Sequence, residues 1–413
     1  MTRHSLLLTA VATVTVPGLL AVFGVIGHDQ GAGQGDITAA LDSAALSGPF
    51  PVAPATARAA VRNNVAAVQR ASGAPLTILS RVTASQQATG LQLLDKAADA
   101  GLAVTYQGTE VSSQSGVDGS VTTISQVWHE GEGATLVRTS SAAMSATTAD
   151  AATTATSAAA ADAASGSPEG VFGVTKSLVA LLGQHYVAVD RGSGTVAGRA
   201  AAVVELYRFD GSLAAQYWLD RQTLVPLRRE LFDTSDNLIS DDSFVRVQFG
   251  AQAGAQAAGA AVPSTSAQST WVTAVSPARF LASLTGQGWP VPGTLPGGLP
   301  LHAAAWTQTA NGKVAELEYS DGLYVVSLFV QQGTLAARLP GWQQVRVAGQ
   351  QAFVSGQSVS WSGGGLVYTM IADVPPQTVR QVVGALPGSG PPGLLGRLER
   401  GFGRMARLVN PFS

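Results

Sequence analysis

The side chains that could carry acid–base or metal chemistry lie far apart in this 413-residue sequence. No two of the five histidines stand two, three or four positions apart, so there is no local metal-ligating pair. They are His4, His28, His129, His185 and His302. The sequence has no cysteine, which excludes disulfides, thiolate metal sites and a cysteine nucleophile. His129 ends a predicted strand beside Glu130, and we interpret it as a solvated turn histidine.

A pair of neighbouring carboxylates also fails to suggest catalysis. Asp241 and Asp242 are adjacent on a predicted strand, so their side chains point to opposite faces and cannot act as acid and base on one substrate. No nucleophile elbow, phosphate-binding loop or dinucleotide fingerprint stands between a strand and a helix. We therefore predict no catalytic residue, no metal site and no cofactor. An enzyme with an unrecognised site is the alternative to this non-enzymatic reading.

The charge of the chain gives no sign of a nucleic-acid partner. The formal net charge is −2 and only 12% of residues are charged. Outside the C-terminal tail the arginines are scattered, so there is no basic stripe of the kind that tracks a phosphate backbone. We expect no nucleic acid among the partners.

Apolar and aromatic strand residues remain as candidate binding groups. In most proteins such side chains fill a core. The alternative is a curved sheet whose hollow is lined by aromatic rings and accepts an acyl chain or a partner protein. The five candidates for this apolar cavity or partner surface are Tyr106, Trp128, Tyr207, Tyr217 and Trp218.

The N-terminus predicts export. Arg3 precedes an uncharged, mostly apolar run that ends near Gly27. Residues 1–27 are interpreted as a cleaved signal peptide or, because the run is long enough to span a bilayer, as a retained membrane anchor. Both readings place the rest of the chain on the extracytoplasmic side of the cell membrane, secreted or anchored. Residues 28–85 are rich in Ala, Gly, Pro and Gln and are predicted to be a low-complexity lead-in.

The periodicity of residues 86–250 predicts one α+β domain. A helix near Leu91–Ala100 precedes two series of short strands that Gly- and Asp-rich turns separate. This pattern is typical of a curved antiparallel sheet, here a half-barrel wrapped on helices. Residues 140–167 contain almost only Ala, Thr and Ser, and they are predicted to be a disordered insertion, with an Ala-rich helix as the competing reading.

A second, smaller domain is predicted at 271–387, after a linker at 251–270 whose composition is Ala, Gly, Gln and Ser. Strand signals dominate it, and helices are predicted at Pro277–Leu284 and Pro375–Ala385. The region therefore reads as a β-rich α+β domain.

The C-terminal tail predicts a basic amphipathic helix at 392–410. Leucines and other apolar residues repeat on one face, and arginines repeat on the other. Such a helix suits an anionic membrane surface or an acidic partner, and a surface helix packed on the second domain is the alternative. The candidate membrane contacts are Arg397, Arg400, Arg404 and Arg407.

Three blocks of this sequence, in order, resemble one known family. The first runs from Leu91 as LQLLDKAADAGLAVTYQGTEVSS and continues in SQVWHEGEGATLVRT. The second carries Gly198-Arg199 and Trp218-Leu219-Asp220, and the third is LEYSDGLYVVSLFVQ in the smaller domain. Together the chain resembles the MucB/RseB family, regulators of an envelope-stress sigma factor.

The resemblance implies a large domain similar to the periplasmic lipoprotein carriers and a smaller β-rich C-terminal domain. It also implies that the chain binds the extracytoplasmic part of an anti-sigma factor and shields it from regulated proteolysis, with lipid-like ligands releasing it. The function expected from the sequence is therefore an extracytoplasmic regulatory binding protein, possible partners being an anti-sigma factor, acyl lipid and the membrane surface. A lipid or lipoprotein carrier is the alternative.

Overall fold

The structure is a computed structural model, which describes residues 84–117, 119–131, 172, 174–250, 271–309 and 312–388, and the backbone alone of 15–16, 19–20, 135–145 and 154–157. Almost all of the predicted signal or anchor and of the lead-in lies outside the described residues. The predicted linker at 251–270 and the predicted tail helix at 392–410, with its four arginines, also lie outside them.

The larger of two antiparallel sheets has nine strands in the order β6-β5-β4-β3-β11-β10-β9-β8-β7. The strands are β3 (Tyr106–Ser115), β4 (Ser120–His129), β5 (Thr135–Ser145), β6 (Thr154–Ser157), β7 (Val187–Val196), β8 (Arg199–Tyr207), β9 (Leu213–Asp220), β10 (Pro226–Phe232) and β11 (Leu238–Phe249). A separate two-stranded ladder pairs β1 (Thr15–Val16) with β2 (Leu19–Leu20). Most neighbours in the large sheet follow one another along the chain, as short hairpin turns require.

Strand backbone enters the run that was predicted to be a disordered insertion. β5 pairs with β4 as far as Met144 opposite Ser120, and β6 pairs with the end of β5. The other residues of 140–167 lie outside the described part of the chain, so the disorder of that remainder stays a prediction.

Two helices define the faces of the large sheet. They are α1 (Ala84–Ala103) and α2 (Lys176–His185), and α1 packs on β7 and β8 through Leu94 and Ala98. Gly90 allows the close approach, since a Cβ there would lie 2.8 Å from the backbone of Ala188. We call this side of the sheet the helix-covered face and the opposite side the outer face.

Strand register places every other residue on the helix-covered face. One row crosses five strands of the sheet through directly paired residues, namely Val204, Tyr217, Arg229, Asp242 and Ser112. Asp241 consequently lies on the outer face, which confirms that the two adjacent carboxylates point in opposite directions.

The smaller sheet packs around a second pair of helices, α3 (Pro277–Gly286) and α4 (Pro376–Ala385). Its order is β12-β14-β15-β16-β20-β19-β18-β17, with β13 paired to β14. The strands are β12 (Val272–Thr273), β13 (Thr294–Leu295), β14 (Leu299–Thr309), β15 (Gly312–Ser320), β16 (Val325–Gln332), β17 (Gln343–Val347), β18 (Gln350–Ser355), β19 (Ser358–Gly363) and β20 (Leu366–Asp373). Ser276 caps the N-terminus of α3, because its hydroxyl accepts a hydrogen bond from the backbone amide of Arg279.

One apolar cluster runs through both sheets. It contains Leu94, Leu182 and Leu206 of the large sheet and its helices, and Tyr319 and Val382 of the smaller part. A second, smaller cluster around Tyr106 and Phe244 fills the other end of the large sheet. The α+β class, with an open curved sheet on helices and a smaller β-rich part, is thus confirmed. Within the described residues, no helix has the length and hydropathy needed to cross a membrane.

Candidate functional site

The five aromatic candidates do not converge on one surface. Tyr106 and Tyr217 lie on the helix-covered face, whereas Trp128, Tyr207 and Trp218 lie on the outer face, as their strand partners show. All are buried except Trp218, which is partly exposed beneath the Arg228 guanidinium, 4.9 Å from its ring. A role for these five side chains in a ligand cavity or partner surface stays a prediction.

His129 is not the solvated turn histidine that the sequence suggested. Its ring is 1% exposed and stacks on Tyr106 with 4.9 Å between ring centroids. Its Nε2 lies 3.2 Å from the carbonyl oxygen of Leu102 at the end of α1. Burial lowers the pKa of His129, opposed by that contact. The prediction was wrong because the C-terminal end of α1 folds over the strand end, a tertiary contact that local sequence does not signal.

A charged row on the helix-covered face joins the two sheets. Arg229 donates to Asp242 of the same sheet at 2.8 Å and to Asp373 of the smaller sheet at 2.5 Å. Ser112 donates to the other oxygen of Asp242 at 2.5 Å. Desolvation raises the pKa of Asp373, while Arg229 opposes that rise. The guanidinium therefore holds one carboxylate from each sheet, in the geometry that buried ion pairs require.

Glu110 adds a further carboxyl to this row without a hydrogen-bond donor among the described residues. Glu110 lies on β3 two residues before Ser112, on the same face of the sheet, and it is paired with Phe244 on β11. Desolvation, and then the charge of Asp242, raise the pKa of Glu110 to about 8, although Arg229 acts in the opposite direction. At neutral pH the protonated form of this carboxyl is therefore favoured.

A loop of the smaller sheet makes the second contact between the sheets. The Tyr186 hydroxyl, at the end of α2, donates to Asp321 at 2.5 Å. Asp321 also accepts from the backbone amides of Leu323 and Tyr324, at 3.0 and 2.9 Å, which shapes the turn. Arg208 donates to the Tyr324 hydroxyl at 2.6 Å. We call residues 320–324 the latch loop.

A cleft opens where β3, β4 and β11 meet the smaller sheet. It has about 30 Å³ of space for water-sized groups, within a groove of about 460 Å³ that includes open solvent, so it is smaller than a ligand pocket. Its lining mixes aliphatic side chains with amides and one carboxylate, and none of the five aromatic candidates belongs to it. The lining includes Gln114, Val117, Val121 and Ile239 of the large sheet and Gln357, Val359, Asp373 and Val379 of the smaller part.

Metal chemistry finds no support in the described residues, where no group of three or more His, Cys, Asp or Glu side chains could hold an ion. Asp241 is occupied by Arg228, which donates to it twice, at 2.9 and 2.8 Å. What the arrangement offers is a small amphipathic cleft beside a neutralised charged row. Such a surface can bind a partner segment or an apolar group.

The described residues form an open antiparallel half-barrel on helices with a smaller β-rich part, a lipoprotein-carrier-like fold. Residues 89–266 match the family model of the MucB/RseB N-terminal domain. Residues 89–266 therefore carry a domain of the MucB/RseB family, as the sequence blocks predicted. A comparison with curated proteins gives no match.

Three solved structures of low identity are also similar to this chain. A crystal structure of MucB is 21% identical, with 71% of this chain and 96% of that chain covered and a TM-score of 0.44. The complex of Pseudomonas aeruginosa MucA and MucB is 21% identical, with 73% and 100% covered and a TM-score of 0.39. A structure of MucB with MucA(peri) is 22% identical, with 73% and 100% covered and a TM-score of 0.38.

The residues that join the two sheets could not be recognised from the sequence. Arg229 and Asp373 are 144 positions apart, and Tyr186 and Asp321 are 135 apart. One signal was present: the quoted block LEYSDGLYVVSLFVQ contains the latch loop, Ser320–Tyr324. Its Ser-Asp-Gly turn marked a loop, but composition gave no reason to assign that loop to a contact with α2.

Proposed function

We propose that this protein is an extracytoplasmic regulatory binding protein that contacts the outer part of a membrane-embedded anti-sigma factor and so modulates an envelope-stress sigma factor. The observation that carries the proposal is the match of residues 89–266 to the MucB/RseB N-terminal domain. The structures of MucB with MucA illustrate one assembly of that family. In this proposal the chain binds and does not catalyse.

The proposed contact surface is the cleft between the sheets. It is concave, its aliphatic floor is flanked by the amides of Gln114 and Gln357, and it lies beside the charged row. Interfaces of regulatory complexes combine such an apolar centre with a polar rim. In this proposal residues 86–250 supply one wall of the cleft and residues 271–387 supply the other. Residues 251–270 link the two.

Calorimetry with a defined partner tests the proposal. The titrant is the purified extracytoplasmic domain of a single-span anti-sigma protein encoded in the same genome. Val117→Glu introduces a charge into the cleft and should weaken binding at least tenfold. Val275→Glu makes the same change at a fully exposed position outside the cleft and should leave the affinity unchanged. Absence of binding by the folded wild-type chain at high micromolar concentration would contradict the proposal.

A carrier of acyl lipid or lipoprotein is the second candidate. It is favoured by the same open half-barrel architecture. Native mass spectrometry of the exported chain distinguishes the two: co-purified acyl lipid without affinity for the anti-sigma domain supports a carrier. The predicted export and the predicted membrane contact of the tail arginines are consistent with both functions, since both place the protein at the cell membrane.

A further inference from the structure

The cleft depends on how the two sheets are docked. One wall comes from the large sheet through Val117 and Ile239, and the other comes from the smaller part through Val359 and Val379. Neither sheet forms it alone. Any change in the relative placement of the sheets therefore changes the cleft.

Two different kinds of contact hold the sheets together. The shared apolar cluster supplies attraction, but burial of apolar surface is non-directional. Direction comes from polar contacts between the sheets. Tyr186 donates to Asp321, and Arg229 donates to Asp373. Arg208 donates to the Tyr324 hydroxyl, which donates to the carbonyl oxygen of Phe232. Interfaces between domains of one chain commonly permit relative motion, so such directional contacts decide which arrangement is populated.

The latch loop also fits α2 through shape. Gly322 has φ +98°, and a Cβ at this position would lie 2.4 Å from the amide nitrogen of Leu182 and 2.6 Å from the carbonyl oxygen of Leu178. These neighbours are helix backbone and cannot move aside as a flexible side chain would. The docked arrangement therefore requires a residue without a side chain at position 322.

We propose that the latch loop and the Arg229–Asp373 pair form a conformational switch that sets whether the cleft is assembled. The latch loop does not line the cleft, so it controls the cleft at a distance, by fixing the placement of the smaller sheet. Release of the Tyr186–Asp321 bond or displacement of Gly322 leaves the apolar contact in place but allows other arrangements, in which the two walls no longer face each other. The coupling to partner binding rests on the proposed function, whereas the switch itself does not.

Distance measurements between paired spin labels test the switch on the whole chain without a partner. The chain has no cysteine, so cysteines at the exposed positions Ser193 and Gln351 are the only labelling sites. The wild-type chain should give one narrow distance distribution. Tyr186→Phe removes one buried hydrogen bond to a carboxylate and should increase the population outside that distribution about tenfold.

Matched variants separate the switch from general destabilisation. Tyr207→Phe removes a buried hydroxyl that donates to Glu205 within the large sheet, so the distances should not change. Gly322→Ala should make alternative distances predominant. Gly349→Ala imposes the same positive-φ strain, at +79°, where a Cβ meets nothing within 4 Å, and it should keep the wild-type distribution. Circular dichroism establishes that each variant is folded.

Unchanged distance distributions in folded Tyr186→Phe and Gly322→Ala would overturn the switch, whether or not any partner binds. Affinity for the anti-sigma domain is then measured separately, and it should fall in proportion to the loss of the wild-type distance. Altered distances with unaltered affinity would overturn the control of binding and leave the switch standing. Failure of the wild-type chain to bind contradicts the proposed function alone.

Discussion

Glu110 provides the sharpest test of the electrostatics on the helix-covered face. Its carboxyl has no hydrogen-bond donor among the described residues, and its pKa is raised from 4.5 to about 8 by desolvation and by Asp242. The protonated form is thus favoured by the folded chain. This contribution to stability is complete below pH 4.5 and is lost as the pH rises through 8. Glu110→Gln mimics the protonated carboxyl and removes the titration.

The size of the effect follows from the pKa. A pKa difference of one corresponds to about 1.4 kcal/mol, so the full change has an upper bound of about 5 kcal/mol. Solvent touches part of the side chain and weakens the effect. We therefore expect the variant to match the wild type near pH 4.5 and to exceed its free energy of unfolding by about 2 to 3 kcal/mol at pH 9.

Urea unfolding of both proteins at pH 5, 7 and 9 measures this difference. Other titrating groups are common to both chains and cancel in the comparison. Glu130→Gln changes an exposed carboxylate and should give no difference at any of the three pH values. A constant difference between Glu110→Gln and wild type across this range would refute the assignment of Glu110 as a desolvated carboxyl.

Three further predictions concern packing, an ion pair and the tail. Gly90→Ala should lower the free energy of unfolding by about 1–3 kcal/mol, because the new Cβ would meet the backbone of Ala188. Gly101→Ala lies in the same helix with open space around it and should raise the free energy of unfolding by about 0.5–1 kcal/mol. Equal effects of the two changes in chemical denaturation would contradict the packing of α1. Asp220→Ala should cost about 3 kcal/mol, seen in thermal unfolding, because the buried carboxylate accepts from Arg199 at 2.6 Å and from two turn amides. Changing Arg400 and Arg404 together to Glu should weaken co-sedimentation with anionic vesicles, and undiminished co-sedimentation would exclude the tail as the membrane contact.

The strands and their turns could be predicted from the sequence because their causes are local. Alternating β-branched and aromatic residues favour extended backbone, and glycines permit the positive φ that tight turns require. Gly211 illustrates this: it stands at φ +90° between β8 and β9, where the sequence placed an Asp-Gly-Ser turn. The same alternation correctly assigned Asp241 and Asp242 to opposite faces.

The five aromatic candidates show where that local reasoning stops. Their residue type marked them as buried groups, and four are buried. Alternation says only that neighbours point to opposite sides of a strand. The register of nine strands decides which side of the sheet the helices cover and whether residues on distant strands share that side. The sequence therefore could not show that the five candidates divide between two faces.

The sequence by itself therefore determined the elements, the open α+β class and the family of the domain at 89–266, since each of these depends on local pattern or on ordered blocks of residues. Only the tertiary structure decided that Arg229 meets Asp373 and that Gly322 lies against α2. These contacts join residues more than a hundred positions apart, and they exist because two independently patterned sheets dock in one orientation. Local periodicity carries no information about that orientation, because it fixes the faces of a sheet but not the partner of either face.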